Sequence, residues 1–248
     1  MRTDQFTSFD GETIAVHRLG EGRPVLMLHG FIASARLNWV EPGIAQAVAD
    51  AGFEVIAPDL RGHGDSAAPE AASAWPGDVL ARDQEALAAS LGLTDFDLVG
   101  YSLGARTAVR CLVRGMRPRR CVLGGMGDSG IMQAGARAAM FEDSIRHGEN
   151  ARDPRAGKYI QARIRAGGLN PQALLGVLAS FVPTTAEDLA GLDVPTLVLC
   201  GEDDADNGSP ERLAAAMPNA KAVRVPGDHL TTVAEPRLAA EMVAYLTA

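Results

Sequence analysis

Ser102 lies in a setting typical of a catalytic nucleophile. It is the central residue of GYSLG, a G-x-S-x-G pentapeptide at residues 100–104. An apolar, strand-like run precedes the pentapeptide, and an amphipathic helical pattern begins at Leu103. A sharp turn between a strand and a helix holds such a serine in a strained conformation, and glycines on both sides let the two elements approach closely. A serine at its ordinary pKa also needs a histidine, an orienting carboxylate and oxyanion donors.

Strand-like and helix-like patterns alternate around this turn. The first segment predicts a β-hairpin of residues 5–9 and 13–18 with its turn at Asp10 and Gly11. Further apolar runs predict buried strands at residues 24–28, 54–57, 96–99, 120–123, 195–200 and 222–225. Amphipathic patterns predict helices at residues 42–51, 77–91, 103–114, 210–216 and 236–246. The alternation predicts an α/β fold with a mostly parallel eight-stranded sheet and helices on both faces.

One interval interrupts the alternation. Residues 127–193 carry no convincing strand, and they contain helical patterns at residues 133–147, 156–166 and 171–181. These helices could extend the core. Because ligands bind at the carboxyl edge of open α/β sheets, we instead expect a helical cap over that edge, inserted after strand 6. The predicted division is a core of residues 1–126 and 194–248 and a cap of residues 127–193.

The net charge of the chain restricts the kinds of molecule that it is expected to bind. The chain has 248 residues, and its 23 basic and 31 acidic side chains give a net charge of −8. This charge disfavours binding to nucleic acid or to an anionic membrane and fits a small-molecule substrate, neutral or mostly apolar. The first five residues are polar and no run of about 18 apolar residues occurs, so we expect neither a signal peptide nor a membrane span.

The cysteines indicate the cellular compartment. Cys111, Cys121 and Cys200 lie in apolar runs and lack paired spacing. Disulfides and a metal site are therefore poorly supported, and a reducing cytoplasm is the expected location. We expect a monomer or homodimer without cofactor or metal.

Four motifs, each after a different predicted strand, resemble the α/β-hydrolase fold superfamily from end to end. They are HGF at residues 29–31, DLRGHGDS at residues 59–66, GYSLG, and an acid and a histidine late in the chain. The resemblance implies an esterase-like serine hydrolase with a short helical cap. It also implies that the second motif is mostly structural.

The resemblance assigns the base and the acid. His229, just beyond the last predicted strand, matches the family's general base, and an imidazole ring can both take and give a proton. The family's acid loop has a glycine, two variable residues and then an aspartate, which selects Asp204 in the sequence GEDDAD. The carboxylates that remain alternatives are Glu202, Asp203, Asp206 and Asp128.

The resemblance also implies where the oxyanion and the substrate bind. The oxyanion donors are the backbone N–H groups of Phe31 and Leu103. Apolar and aromatic side chains near the elbow or in the predicted cap are candidate substrate-binding residues: Phe31, Tyr101, Met126, Met132, Met140, Phe141, Leu178 and Phe181.

The residue type at position 102, in the turn between strand and helix, restricts which reactions are expected. Haloalkane dehalogenases and epoxide hydrolases of this fold carry an aspartate nucleophile where this chain has Ser102, so those activities are disfavoured. We expect hydrolysis of a small, mostly apolar carboxylic ester through an acyl-enzyme. A carbon–carbon bond, lactone or perhydrolase-type enzyme with the same triad, or a non-catalytic small-molecule receptor, remains an alternative because specificity lies in the cap.

Overall fold

The computed structural model describes residues 1–133 and 135–248. Ala134, which falls in the helix predicted for residues 133–147, lies outside the described residues. The strands are β1 (Arg2–Thr7), β2 (Thr13–Leu19), β3 (Arg23–Leu28), β4 (Phe53–Pro58), β5 (Asp97–Tyr101), β6 (Cys121–Gly124), β7 (Thr196–Gly201) and β8 (Ala220–Val225).

The α-helices of the described residues follow the strands in the predicted alternation. They are α1 (Ile44–Asp50), α2 (Val79–Ser90), α3 (Leu103–Val113), α4 (Asp128–Met132), α5 (Gly135–His147), α6 (Pro154–Gly167), α7 (Pro171–Ala179), α8 (Ala186–Ala190), α9 (Pro210–Ala215) and α10 (Pro236–Thr247). The short helices α4 and α8 were not predicted, because five residues give too little periodicity to detect.

The eight strands form one sheet in the order β1-β2-β4-β3-β5-β6-β7-β8. β2 pairs antiparallel with β1 and β4, and all the other pairs are parallel. The chain passes from β3 to β4 on one side and then to β5 on the other side of β3. The order therefore reverses between β3 and β5, where the loops that follow the two strands diverge and leave a crevice for a ligand.

Alternating side chains of the strands build two cores. Leu26 and Leu28 of β3 pack on the side covered by α2, α3 and α9, whereas Val25 and Met27 pack on the side covered by α1 and α10. Because successive side chains of a strand point to opposite faces, a continuous apolar run is buried on both sides. The predicted sheet with helices on both faces is confirmed.

The first strand starts and ends earlier than predicted. β1 is Arg2–Thr7 rather than residues 5–9. Ser8 donates its hydroxyl to Asp83, and Asp10 accepts two hydrogen bonds from Arg61, at 2.7 and 2.8 Å. These contacts draw residues 8–10 towards α2 and into the turn.

The helices between β6 and β7 have a small apolar cluster of their own. Ile145 of α5, Ile160 and Ile164 of α6 and Leu174 of α7 are buried together with Ile32, which follows β3. These helices therefore pack over the loop at the carboxyl end of β3. The division of the chain into a core and a cap remains a prediction.

Within residues 1–133 and 135–248, no helix combines the length and the apolar character that crossing a bilayer requires.

The start of α3 lies in close contact with β3. A Cβ atom on Gly104 would overlap the carbonyl group of Leu28, and one on Gly100 would overlap the carbonyl group of Gly104. Both obstacles are backbone atoms held in a sheet or a helix, so they cannot move aside. Glycine at these two positions is what allows α3 to begin immediately after β5.

We expect Gly104→Ala to lower the free energy of unfolding by about 1–3 kcal/mol, because the overlap forces α3 away from β3. Gly135→Ala is the matched control: Gly135 is also helical, and a Cβ atom there would meet nothing within 4 Å. This substitution should be neutral or stabilise the protein by up to about 1 kcal/mol. Urea denaturation measures both, and equal stabilities for the two variants would contradict the interpretation.

Candidate active site

Ser102 forms the junction between β5 and α3 in a strained conformation. Its φ is 52° and its ψ is −111°, a region that side chains other than glycine rarely adopt. Its N–H donates to Gly124 O at 2.8 Å, and its carbonyl accepts from Arg106 N at 3.1 Å. These bonds tie both sides of the turn, to β6 and to α3, and hold the hydroxyl at the carboxyl edge of the sheet.

His229 connects Ser102 with Asp204. Its Nε2 lies 3.0 Å from Ser102 Oγ, and its Nδ1 lies 2.9 Å from Asp204 Oδ2. Next to an ionised carboxylate, Nδ1 carries the ring proton, so Nε2 is left as the acceptor for the serine O–H. This arrangement can remove the serine proton.

Two further hydrogen bonds hold these groups in place. The Asp204 side chain is only 2% exposed, and its Oδ1 accepts from Asp206 N at 3.1 Å. Tyr101, which precedes Ser102, donates its hydroxyl to the carbonyl of His229 at 2.8 Å. The residue before the serine therefore positions the histidine loop.

Among the five predicted acids, Asp204 is the one whose carboxylate hydrogen-bonds to His229. Asp128 instead bonds to Arg212 Nε at 2.6 Å and to Ser209 N at 2.8 Å, and the Arg212 hydrogen bond lowers the pKa of Asp128. Asp206 bonds to Arg137 at 2.9 Å. The two others, Glu202 and Asp203, are exposed.

The loop after β3 is fixed on both sides of Phe31. Gly30 N donates to Asn38 Oδ1 at 2.8 Å, and Ile32 N donates to His63 Nε2 at 3.2 Å. The N–H groups of Phe31 and Leu103 have no acceptor within the part of the chain that the structure describes. Two fixed, available donors, one from each side of the crevice, are what an oxyanion site requires.

The polar motif at residues 59–66 is engaged in structural hydrogen bonds. Asp59 accepts from His17 Nε2 and from the backbone N–H groups of Ala35 and Asp65. The hydrogen bond to Asp59 raises the pKa of His17. Arg61 is fully buried and bonds to Asp83 and Asp10. These side chains connect the hairpin, β4 and α2 and do not reach Ser102.

Two groups of side chains have the spacing of metal ligands. They are His17, Asp59 and Asp65, and Asp204, Asp206 and His229; within each group the ligand atoms lie within 4.8 Å of one another. Both ring nitrogens of each histidine are already hydrogen-bonded, those of His17 to Thr3 and Asp59 and those of His229 to Asp204 and Ser102. Metal binding would have to break these bonds.

Two cavities meet at Ser102. The larger cavity, about 440 Å³, is lined by Ser102 and His229, and Leu230 and Tyr159 form other parts of its wall. The smaller cavity, about 40 Å³, is lined by Ser102, Leu103 and Arg106, but not by His229. The two sides of a bond broken at Ser102 therefore face different surroundings.

Seven of the eight predicted substrate-binding residues line these cavities. Tyr101 and Met140 line the larger cavity, Phe31 and Phe141 line both, and the smaller one has Met126, Leu178 and Phe181. Met132, the last residue of α4, lines neither, because it packs against the apolar core of the sheet.

Several residues of the site were not predicted. Arg106 lies one helical turn after Ser102, a spacing that places both on one face of α3 and could have identified it from the sequence. Asn38 and Asn207 hold backbone groups, Gly30 N and Gly125 O. No local pattern indicates them, because their partners are distant in the chain.

A model of the family described as "Alpha/beta hydrolase family" matches residues 25–241. The chain belongs to the alpha/beta hydrolase family. This alpha/beta hydrolase is 30% identical over 228 residues to a putative non-heme chloroperoxidase from Synechocystis, and the match covers 81% of this chain and 80% of that protein. The family match and the relatives show that the chain is a hydrolase.

Other relatives match over shorter segments. Epoxide hydrolase A from Mycobacterium tuberculosis is 37% identical over 105 residues, which is 42% of this chain and 32% of that protein. Among solved structures, an esterase from a Rhodococcus species has a TM-score of 0.77 at 24% identity, covering all of this chain and 99% of the other. This likeness shows that the fold is shared.

Two buried histidines support the loop after β3 of this alpha/beta hydrolase in their neutral form. Burial lowers the pKa of His29 and lowers that of His63 to about 3. Each accepts a backbone hydrogen bond at Nε2, His29 from Leu60 N and His63 from Ile32 N. Protonation would place a hydrogen on that acceptor, so a charged ring cannot keep the bond.

We therefore expect the free energy of unfolding to fall as the pH drops below about 6.5, since the unfolded chain then binds protons that these rings do not. One such histidine contributes a slope of up to about 1.4 kcal/mol per pH unit. His63→Gln should reduce the slope between about pH 6.5 and 5 in urea denaturation.

Asn150→Gln is the control, because Asn150 is exposed and this substitution changes no titratable group, so it should leave the slope unchanged. His17 does not interfere: its raised pKa gives stability that is complete below about pH 6.5 and is lost at higher pH. An unchanged slope in His63→Gln would show that His63 takes up its proton in the folded state.

Proposed function

We propose that this chain is a serine hydrolase that cleaves a small carboxylic ester through an acyl-enzyme. The observation that carries the proposal is the hydrogen-bonded series from Ser102 Oγ to His229 Nε2, 3.0 Å, and from His229 Nδ1 to Asp204 Oδ2, 2.9 Å. It lies at a crevice with two cavities, so the hydroxyl is both activated and accessible to a small molecule.

In the first half of the reaction, Ser102 Oγ attacks the ester carbonyl while His229 Nε2 takes its proton. Asp204 orients the ring and stabilises the imidazolium without taking the proton itself. The N–H groups of Phe31 and Leu103 donate to the oxyanion of the tetrahedral intermediate. The intermediate collapses, the carbon–oxygen bond to the alcohol breaks, and His229 protonates the departing alcohol.

In the second half, water replaces the alcohol. His229 takes a proton from water as its oxygen attacks the acyl carbon, and the bond to Ser102 Oγ breaks. Ser102 recovers its proton from His229, and the acid leaves. The balance is one ester and one water consumed, and one acid and one alcohol formed.

The helices between β6 and β7 act, in this proposal, as the cap that selects the substrate. Phe141 of α5 packs edge-to-face on Phe31, with ring centroids 4.9 Å apart. Tyr159 and Ile160 of α6 line the larger cavity, and Leu178 of α7 lines the smaller one. The bond-breaking groups thus come from the loops after the strands, whereas much of the substrate contact comes from the inserted helices.

Ser102→Ala and His229→Ala should each reduce kcat for a short aryl ester by roughly 10⁶-fold, because nucleophile and base act as a unit. Asp204→Asn should cost about 10⁴-fold, since the amide favours the wrong ring tautomer. A fluorophosphonate probe should label the wild-type protein and not Ser102→Ala.

Asp203→Asn is the matched control for the acid, because Asp203 is exposed in the same loop and should leave kcat unchanged. A folded protein that is not labelled would overturn the proposal. A larger loss in Asp203→Asn than in Asp204→Asn would reassign the acid.

In a second candidate reaction, hydrogen peroxide attacks the acyl-enzyme in place of water. The relatives named non-heme chloroperoxidases, from Synechocystis and from Kitasatospora aureofaciens, favour it. Peroxide attack on the acyl-enzyme would release a peracid and regenerate Ser102, and the peracid could then oxidise a halide. The proposed triad and oxyanion donors would serve both nucleophiles.

Competition between the two nucleophiles separates the candidates. Incubation of an ester with hydrogen peroxide and the protein, followed by iodide oxidation, measures the peracid. We expect esterase activity to exceed peracid formation and both to disappear in Ser102→Ala. Peracid as the main product would favour the second candidate, whereas peracid formation that persists in Ser102→Ala would contradict both.

A further inference from the structure

Arg106 is a buried cation whose charge is not paired. Only 8% of the residue is exposed, and among the residues that the structure describes no carboxylate lies within salt-bridge distance of it. Asp78, which lines a small gap behind Arg106, is occupied by Arg110, whose Nε and Nη2 bond to the two carboxylate oxygens at 2.9 and 2.7 Å. The Arg106 guanidinium lies 5.0 Å from the centroid of the Phe181 ring.

A cation in this position destabilises the empty protein. Burial without a counterion is unfavourable for any charged group, and burial together with the nearby Arg110 lowers the pKa of Arg106 to about 10. Arg106 nevertheless stays charged near neutral pH. An apolar side chain would fit the surrounding Leu178 and Phe181 at a lower cost, which indicates that the charge serves a ligand.

The position of Arg106 in the wall of the smaller cavity indicates which part of the substrate it contacts. The alcohol must leave next to His229, which protonates it, and His229 lines only the larger cavity. We therefore place the acyl group on the other side of Ser102, in the smaller of the two cavities described above. Arg106 lines that cavity, one helical turn after Ser102.

We propose that Arg106 binds a carboxylate at the far end of the acyl group, so that the preferred substrate is a half-ester of a short dicarboxylic acid. The proposal rests on the proposed ester hydrolysis and specifies its substrate class. A guanidinium binds a carboxylate through two parallel hydrogen bonds. Hydrolysis consumes one half-ester anion and one water and forms one dicarboxylate, one alcohol and one proton.

The size of the cavity limits the length of the acid. Its volume of about 40 Å³ holds roughly three water-sized groups. We therefore place a short acid there, a malonyl or succinyl group with one or two methylenes before its carboxylate. An adipyl group is too long.

Arg137 and Arg163 do not offer an equivalent site. Arg137 also lines the smaller cavity, but it bonds to Asp206 at 2.9 Å and lies over the ring of Phe141. Arg163 lines the larger cavity, on the side of the alcohol. Removal of Arg163 therefore tests whether any arginine near the site is sufficient to attract an anionic ester.

The test compares monoethyl succinate with ethyl 4-oxopentanoate, a neutral ester of nearly the same shape, by ethanol release. We expect kcat/KM of the wild-type protein to favour the anionic ester. Arg106→Met should reduce the ratio of the two kcat/KM values by about 10- to 100-fold, the range for a hydrogen bond to a charged group. Arg106→Lys should retain part of the preference, and monoethyl adipate should be a poor substrate.

Arg163→Met is the control and should leave the ratio unchanged. Thermal unfolding checks the structural role of Arg106: a residue kept for its ligand can be removed without loss of Tm, and Arg106→Met should melt at the same temperature or higher. An unchanged ratio in Arg106→Met would overturn the proposal, whatever the Tm of that variant. A preference lost equally in Arg163→Met would overturn it too.

Calorimetry separates failure of this proposal from failure of ester hydrolysis. Ser102→Ala should bind monoethyl succinate, and the double variant with Arg106→Met should bind it at least tenfold more weakly. If neither ester is hydrolysed but this difference is found, the ester function fails and the carboxylate site stands. If both esters are hydrolysed and the affinities are equal, the carboxylate proposal is wrong and the hydrolase proposal stands.

Discussion

The whole site depends on the close approach of α3 to β3. Because Gly104 has no side chain, the first turn of α3 lies against the carbonyl of Leu28, at the end of β3. The helix N-terminus, with the Leu103 N–H, is thereby brought beside the loop that carries the Phe31 N–H. β3 and β5 are neighbours in the sheet, so a contact at one glycine brings together two backbone N–H groups that lie 72 positions apart in the sequence. The strained Ser102 is the residue that connects them.

The buried titratable groups of the site differ in their charge and in their hydrogen-bond partners. His29 and His63 remain neutral and support the loops after β3 and β4 by accepting backbone hydrogen bonds. Asp204 is buried but paired with His229, and it therefore orients that ring. Arg106 is the contrasting group, buried without a carboxylate partner among the residues that the structure describes. Stability alone does not favour such a residue, and sites that bind ligands are where proteins tolerate this kind of cost.

The sequence predicted the strands and helices better than the surroundings of the candidate site. Buried strands such as β3 and β7 are continuous apolar runs, and Ser102 and His229 follow such runs directly, so local pattern was sufficient. β1 was misplaced because Asp10 and Ser8 are drawn to Arg61 and Asp83, more than 50 residues away. Met132 was predicted to bind substrate, but it packs against the core. The sequence of a five-residue helix does not show which of its faces meets the core. The choice of Asp204 among its neighbours came from family resemblance, and its contact with His229 became visible only in the folded chain.

The sequence separation between Ser102 and His229 has a consequence for folding. Their hydrogen bond joins residues 127 positions apart, and it exists only when β5, β6, β7 and β8 are aligned in one sheet. Contacts of such long range form slowly, because the intervening chain must be ordered before they contribute. A chain that has formed the turn at Ser102 but not the β7–β8 pair would contain the strained serine without His229 beside it. In the proposed mechanism, the return of activity during refolding would therefore mark the completion of the sheet, later than signals from helix formation.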